Sequence, residues 1–183
     1  MIFTETRLAG AFVIEPEPAT DERGLFARTF CAREFAAHGI ETAVAQCSAS
    51  FNKHKGTLRG LHYQAPPHNE AKLVRVTAGA IYDVAVDLRE GSPTYGQWAA
   101  AELTAENRRM FFIPKGCAHG FQTLRDDSEV FYQIAEFYEP ASARGLRWDD
   151  PELAIAWPDR ATPILSERDR GFPGLRDVTP VRP

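Results

Sequence analysis

The chain has 183 residues, a formal net charge of −4 at pH 7, and 44% apolar and 11% aromatic residues. That length is enough for one domain with a sizeable core, and the acidic balance argues against a nucleic-acid-binding protein, which usually has a basic face. The sequence has no run near the roughly 20 apolar residues of a membrane span, no signal-peptide pattern, and three widely spaced cysteines that fit neither a disulfide framework nor a CxxC site. We therefore expect a single reduced, cytoplasmic domain over residues 1–183, without nucleic-acid or membrane partners.

Short strand-like runs separated by turn residues follow one another along the first 140 residues. Their number and spacing are typical of a β-sandwich or barrel. One helix is predicted in this part, at residues 32–37, just before Gly39. The strands are predicted at residues 12–14, 23–29, 44–51, 57–63, 72–77, 80–88, 97–103, 109–113, 118–124 and 130–137.

The strand at 80–88 has the clearest alternation of apolar and polar residues. One face, which begins with Tyr82 and Val84, is predicted to lie against the core. The other face carries the carboxylates of Asp83 and Asp87 and is predicted to line a cavity.

Repeated prolines interrupt the chain after residue 139. This part is therefore predicted to wrap over the barrel with short turns, one of them near residues 166–170. Trp148 and Trp157 are expected to anchor it.

Four polar groups lie in predicted strands or directly after them: Arg59, His62, Lys72 and His119. Core-facing strands seldom carry four such groups without a ligand, so the set indicates a site that binds an anion and moves protons. Arg59 suits bidentate phosphate binding.

Two segments have the layout of the paired motifs of cupins, the double-stranded β-helix or jelly roll. They are Gly60-x-His62-x-Gln64 and Pro114-x-Gly116-x-x-His119. Gln64 and Lys72 stand where metal-binding cupins have a second His and a Glu. A protonated lysine cannot ligate a metal, and two histidines alone make a poor site. We therefore predict no metal and expect Lys72 to favour a developing negative charge, such as an enolate oxygen.

His62 is the predicted general base, because the ordinary pKa of imidazole, roughly 6.5, lies near working pH. Asp83, Asp87 or Asp169 could orient its ring, and the residues alone do not choose among them. His119 follows a Pro-x-Gly turn and could equally cap that turn.

Tyr132 is a candidate acid, since a phenol with a pKa of about 10 can protonate an enolate. The alternation of its strand leaves open whether its hydroxyl points inward. Tyr138 raises the same question.

Further motifs are distributed nearly end to end along the chain. They are Asp21-x-Arg23-Gly24-x-Phe26, Leu58-Arg59-Gly60-Leu61-His62-Tyr63-Gln64, Lys72-Leu73-Val74, Asp83-Val84-Ala85-Val86-Asp87-Leu88-Arg89, Ser92-Pro93-Thr94-Tyr95-Gly96-Gln97-Trp98, Ile113-Pro114-x-Gly116-x-Ala118-His119-Gly120-Phe121, Asp149-Asp150-Pro151, Trp157-Pro158 and Leu165-Ser166-x-x-Asp169. Together they resemble the dTDP-4-dehydrorhamnose 3,5-epimerase family of nucleotide-sugar epimerases.

The resemblance implies an all-β jelly-roll homodimer that needs no cofactor. His62 would be the base, oriented by Asp169, and Tyr132 would be the acid on the opposite face of the sugar ring. Lys72 would polarise the C4 ketone. The predicted substrate contacts are Arg23, Arg59 and His119 at the diphosphate, Phe26 stacked on the nucleobase, and Arg28, Gln46, Ser48, Tyr138 and Ser166.

Two positions depart from the family pattern. Arg28 stands where the family usually has a Glu that accepts from thymine N3–H, and Ser48 stands where it usually has Asn, two residues after Gln46. One hypothesis is that base recognition has shifted towards a CDP-sugar, because a donor at position 28 suits the unprotonated N3 of cytosine. The alternative is that Arg28 points to solvent and Ser48 replaces one hydrogen bond by another.

The sequence therefore predicts an isomerase that epimerises an NDP-4-keto-6-deoxyhexose at C3, C5 or both, most simply dTDP-4-dehydro-6-deoxy-D-glucose to dTDP-4-dehydro-L-rhamnose. The alternatives are a single-centre epimerase, a ketoisomerase of the same fold, and a non-catalytic cupin that binds a nucleotide sugar. A metal-dependent cupin is a further alternative.

Overall fold

The structure is a computed structural model that describes residues 1–41 and 43–182. Strands dominate it, with two short α-helices and a 3₁₀ helix at Leu175–Asp177. The strands are β1 (Ile2–Glu5), β2 (Phe12–Glu15), β3 (Ala19–Asp21), β4 (Gly24–Phe26), β5 (Gln46–Asn52), β6 (Leu58–Gln64), β7 (Lys72–Ala78), β8 (Ala80–Asp87), β9 (Trp98–Thr104), β10 (Met110–Ile113), β11 (Cys117–Thr123), β12 (Ser128–Ile134) and β13 (Ala143–Gly145). The helices are α1 (Ala32–Ala37) and α2 (Glu167–Arg170).

Two antiparallel sheets pack face to face. The larger has the order β1-β2-β10-β7-β12-β5 and the smaller β13-β6-β11-β8-β9, while β3 and β4 form a separate hairpin. This is the all-β jelly roll that the sequence predicts. Over the described residues, no helix is long and apolar enough to cross a membrane.

Three apolar clusters stabilise the arrangement. The first lies between the sheets and includes Val74, Phe111 and Phe121. The second lies on the outer face of the smaller sheet, under the C-terminal segment. The third joins the outer face of the larger sheet to α1 through the buried Phe35. Because apolar groups pack on both of their faces, the central strands β8, β10 and β11 are buried along nearly their whole length.

Strand β8 has apolar side chains packed on both of its faces. Val84 and Val86 pack beneath the C-terminal segment, while Ile81 and Ala85 belong to the core between the sheets. The prediction of a cavity along the whole second face is therefore wrong, since Asp87 lies at the end of the strand and is bound there. Its carboxylate accepts from Arg89, Ser92 and Thr94, and these hydrogen bonds overcome the effect of burial and lower the pKa of Asp87 to about 2.

The C-terminal wrap is present as predicted. Trp157 is buried and donates its indole N–H to the carbonyl of Trp148 at 2.8 Å, and Trp98 of β9 donates to the carbonyl of Leu153 at 2.9 Å. The predicted turn near residues 166–170 is α2, and the predicted helix at 32–37 is α1.

The predicted strand at 23–29 is confirmed only in part, because Gly24–Phe26 alone forms a strand, β4. Its residues form the second half of the β3–β4 hairpin and then leave the sheet. The turn forms because the Asp21 carboxylate accepts from the backbone N–H of Arg23 at 2.9 Å and Gly24 has a φ of +128°. The short strands β1, β3 and β13 were not predicted.

Candidate active site

Arg59 and His62 both face the space between the sheets, although their spacing of three would place them on opposite faces of a regular strand. The pairing of β6 with β11 explains this. His119 lies opposite His62 and Phe121 lies opposite Arg59, so three residue steps on β6 match two on β11, which is a β-bulge. Because His119 and Phe121 share a face of β11, Arg59 and His62 share it too.

Gly60 permits this bulge. Its φ is +133°, and a Cβ at this position would lie 2.5 Å from the Cα of Gly120. Its backbone N–H donates to the carboxylate of Asp169 at 3.2 Å. The bulge thus brings β6 close to β11 and anchors α2 beside His62.

His62 and Asp169 form a dyad, with 2.8 Å between Nε2 and Oδ1. The hydroxyl of Ser166 accepts from the N–H of Asp169 and caps α2, which fixes the carboxylate. Burial alone would raise the pKa of Asp169, but His62 and the N–H of Gly60 lower it overall. The carboxylate therefore stays ionised and holds Nε2–H, which leaves Nδ1 as the basic nitrogen. The geometry agrees with the partner that the family resemblance implies.

Asp83, another carboxylate that the sequence left open, pairs with His119 instead. The distance from Asp83 Oδ1 to His119 Nε2 is 2.7 Å, and both side chains are buried. Burial raises the pKa of Asp83, while His119 and Lys72 oppose this. His119 was predicted to bind the diphosphate, and its Nε2 is occupied by this carboxylate.

Tyr132 comes from the opposite sheet. It lies across from Val74 of β7, which belongs to the core between the sheets, so its ring faces the sheet that carries His62. Its ring centroid is 5.9 Å from that of His119, in an edge-to-face arrangement. Since His119 is the direct cross-strand neighbour of His62, the two sheets present a phenol and an imidazole to the same space.

The environment of Tyr132 keeps its hydroxyl protonated. Burial raises its pKa further above the ordinary value, the charge of Asp83 adds to this, and Arg59 opposes it. A phenol in this state can donate a proton at neutral pH.

Lys72 begins β7 and shares the inward face of Val74. Its ammonium forms an ion pair with the carboxylate of Glu70 at 2.8 Å and donates to the backbone carbonyl of His62 at 3.4 Å. Sequence reasoning gave Glu70 no role. The signal available in the sequence was an acidic residue, Glu70, two positions before the basic Lys72 at the start of β7.

Several other predicted contact residues bind the chain itself. The guanidinium Nε of Arg59 donates to the side-chain oxygen of Asn52 at 2.7 Å, and the Gln46 side-chain oxygen accepts from the backbone N–H of Tyr138 at 2.6 Å. The ring of Tyr138 is exposed. Ser48 lies across from Tyr132 in the β5–β12 pairing and is exposed at the sheet edge.

The remaining predicted contacts lie on or just after the β3–β4 hairpin. Arg23 pairs with Asp21, Phe26 is 80% exposed, and Arg28 donates to Glu34 of α1 at 3.1 Å. The groove beside the hairpin is lined by Arg75 and other residues on the outer side of the larger sheet. Within one chain, the hairpin therefore lies on the face opposite the one that carries Lys72 and Tyr132.

The donor set between the sheets does not resemble a metal centre. In the two described segments, no group of three or more His, Cys, Asp or Glu residues is arranged to hold a metal ion. Gln64, at the second-histidine position, bonds to backbone groups of His68, Phe137 and Glu139. The arrangement suits proton transfer beside a fixed cation.

Residues 5–177 match the family model described as dTDP-4-dehydrorhamnose 3,5-epimerase. The chain belongs to this family. A curated dTDP-4-dehydrorhamnose 3,5-epimerase from Methanothermobacter thermautotrophicus is 48% identical over 177 residues, which cover 96% of this chain and 95% of the relative. The family is one of isomerases, as the sequence predicts.

Solved structures agree. A Legionella pneumophila dTDP-6-deoxy-D-glucose-3,5-epimerase in complex with dTDP-4-keto-L-rhamnose is 40% identical and has a TM-score of 0.91, over 97% of this chain and 94% of that chain. A 3′-monoepimerase from Streptomyces bikiniensis, in complex with dTDP-quinovose, is 37% identical with a TM-score of 0.86, over 93% of this chain and 86% of that chain. Double and single epimerases thus share the jelly roll seen here.

Proposed function

We propose that this member of the dTDP-4-dehydrorhamnose 3,5-epimerase family converts dTDP-4-dehydro-6-deoxy-D-glucose to dTDP-4-dehydro-L-rhamnose. One observation carries the proposal. His62, paired with Asp169 of α2, projects from one sheet, while a protonated Tyr132 and the Lys72 ammonium face it from the other. A base and an acid on opposite sides of a sugar ring are what inversion at a carbon beside a ketone requires.

The reaction follows from these groups. Nδ1 of His62 removes the proton from C3 or C5, the C–H electron pair forms the new C=C bond to C4, and the carbonyl π pair moves onto the C4 oxygen to give an enolate. The Lys72 ammonium stabilises this oxygen. Tyr132 then donates its proton to the carbon from the opposite face, which inverts the centre. Solvent removes the proton from His62 and returns one to Tyr132.

Proton NMR of the 4-keto sugar nucleotide in D₂O tests the proposal. We expect the signals of both C3–H and C5–H to disappear as deuterium enters. The His62→Ala variant is expected to lose this exchange by about 10²–10⁴-fold while it still binds the nucleotide. Loss of one signal would identify a single-centre epimerase, and absence of exchange in the parent enzyme would refute the proposal.

The nucleobase preference belongs to the same proposal. Arg28 is engaged by Glu34, which supports the interpretation that it has no direct role in reading the base. We therefore expect dTDP to bind more tightly than UDP or CDP in calorimetry. A preference for CDP would instead support the cytosine hypothesis.

We further propose that a homodimer of this single domain, located in the cytoplasm, is the active form. Arg23 and Phe26 are predicted to contact the substrate, yet in one chain they lie outside the sheet interior. Phe26 and the sheet-edge residue Phe51 are exposed apolar side chains, which is typical of surfaces that a second copy covers. A hairpin supplied by the partner would reconcile these positions with one substrate site.

A further inference from the structure

The pair formed by Glu70 and Lys72 is among the more buried ion pairs of the described residues. Its side chains are 11% and 9% exposed, whereas those of the pair Glu41–Lys115 are 51% and 37% exposed. Removing two charges from water is costly, and a buried pair is weak evidence for added stability. A functional role for Glu70 is therefore worth examining.

The surroundings of the ammonium fix its direction. The Lys72 ammonium forms an ion pair with the Glu70 carboxylate at 2.8 Å, and it donates one hydrogen bond to the carbonyl of His62 at 3.4 Å. An ammonium has three donors, so even with one N–H directed at Glu70 and one at the carbonyl a donor remains for a ligand. The contact with His62 also ties β7 of the larger sheet to β6 of the smaller one, at the residue that carries the base.

We infer that Glu70 is a positioning residue that holds the Lys72 ammonium towards the substrate ketone oxygen. This rests on the proposed function, in which Lys72 stabilises the enolate. Glu70 itself does not touch the sugar. Its carboxylate restricts a flexible four-carbon side chain to one orientation before the substrate arrives, so that the enolate oxygen meets a donor already in place.

Glu70→Gln removes the charge and keeps the size of the side chain. We expect kcat to fall about 10- to 100-fold, because a small misplacement of a catalytic group has effects of this size. KM is expected to stay within about twofold, since the contact serves the transition state rather than nucleotide binding. Glu70→Asp retains the charge and should recover part of the loss. Glu41→Gln, which breaks the exposed pair with Lys115, is the matched control and should behave like the parent enzyme.

A double-mutant cycle separates positioning from a structural role. If Glu70 acts through Lys72, Glu70→Gln in a Lys72→Ala background should lower kcat no further than Lys72→Ala alone. Equal fractional losses in both backgrounds, or an unchanged kcat in the single variant, would overturn the inference. Glu70→Gln alone leaves a buried ammonium without its partner, and this could destabilise the fold. The double variant Glu70→Gln/Lys72→Ala carries no unpaired charge, so the cycle remains informative in that case.

A measurement that does not depend on turnover distinguishes this inference from the proposed function. The chain has only four lysines, at positions 53, 55, 72 and 115, so the Lys72 ammonium resonance can be assigned by its loss in Lys72→Arg. We expect a slowly exchanging ¹H–¹⁵N ammonium signal in the parent protein that shifts or broadens in Glu70→Gln and not in Glu41→Gln. An unchanged signal would refute the positioning role. If the ammonium signal changes as expected but the parent protein exchanges neither the C3 nor the C5 proton of the substrate, the proposed function is refuted instead.

Discussion

Among single residues, Tyr132 and His62 differ in the way that acid–base inversion requires. Tyr132 is packed between the sheets, where burial raises its pKa and keeps its proton in place. His62 is partly exposed and has its Nε2 fixed by an ionised Asp169. In the proposed reaction, the protonated phenol would be the donor and the imidazole would be the acceptor.

The Tyr132→Phe variant should separate proton removal from inversion. His62 remains, so C3 and C5 protons should still exchange with D₂O, but the donor on the opposite face is gone. We expect the rate of inversion to fall about 10²–10⁴-fold and to fall more than the rate of exchange. NMR that follows both isomers measures the two rates together.

The matched control for this variant is Tyr82→Phe. Tyr82 packs on Trp157 beneath the C-terminal segment, and its substitution removes the same phenolic hydroxyl at that position. Inversion at the parental rate in Tyr132→Phe would contradict its role as the acid.

At the scale of secondary-structure elements, the site depends on the irregular pairing of β6 with β11. The bulge at Gly60 places Arg59 on the same face as His62, and the Gly60 N–H helps to hold Asp169. Regular pairing would direct one of the two inward side chains to the outer face.

Gly60→Ala should therefore destabilise the fold and the site together. The new Cβ would lie 2.5 Å from Gly120 Cα, and the φ of +133° is strained for alanine. We expect a loss of about 2–4 kcal/mol in the free energy of unfolding, measured by urea denaturation. Gly10→Ala is the control, because Gly10 has a φ of +76° and open space around it, and it should lose only about 1 kcal/mol. Similar losses at both positions would contradict the importance of the close approach.

The sequence predicts elements well where the pattern is local. Helix α1 and the long strands were found from periodicity and turn residues. Strand β13 was missed because Ala143–Gly145 is too short to show alternation and lies among turn residues. The bulge could not be predicted either, since it depends on how β6 pairs with β11.

The same limit applies to the site. The inward groups His62 and Lys72 were visible as polar residues in strands, but the choice of Asp169 required family resemblance. It lies 107 residues from His62 in the chain and reaches it through the C-terminal wrap. Glu70 was missed because its two-residue spacing from Lys72 does not show that the pair is buried.

For the whole molecule, the proposed homodimer raises the question of which copy would supply the β3–β4 hairpin to a given site. The hairpin is exposed, with Leu25 and Phe26 facing solvent, and it lies outside the sheet interior of its own chain. Homodimers are commonly symmetric, so a contribution by one copy to its partner's site would be reciprocated.

Mixing two inactive variants tests this arrangement. One carries Arg23→Ala with Phe26→Ala, and the other carries His62→Ala. If the hairpin acts across the dimer, refolded 1:1 mixtures should regain about a quarter of the parental activity, because half of the dimers are mixed and each holds one intact site. The control mixes His62→Ala with Tyr132→Phe, two positions that face the same interior of one chain, and it should stay inactive. A monomer in size-exclusion chromatography, or no recovery in the first mixture, would show that each chain completes its own site.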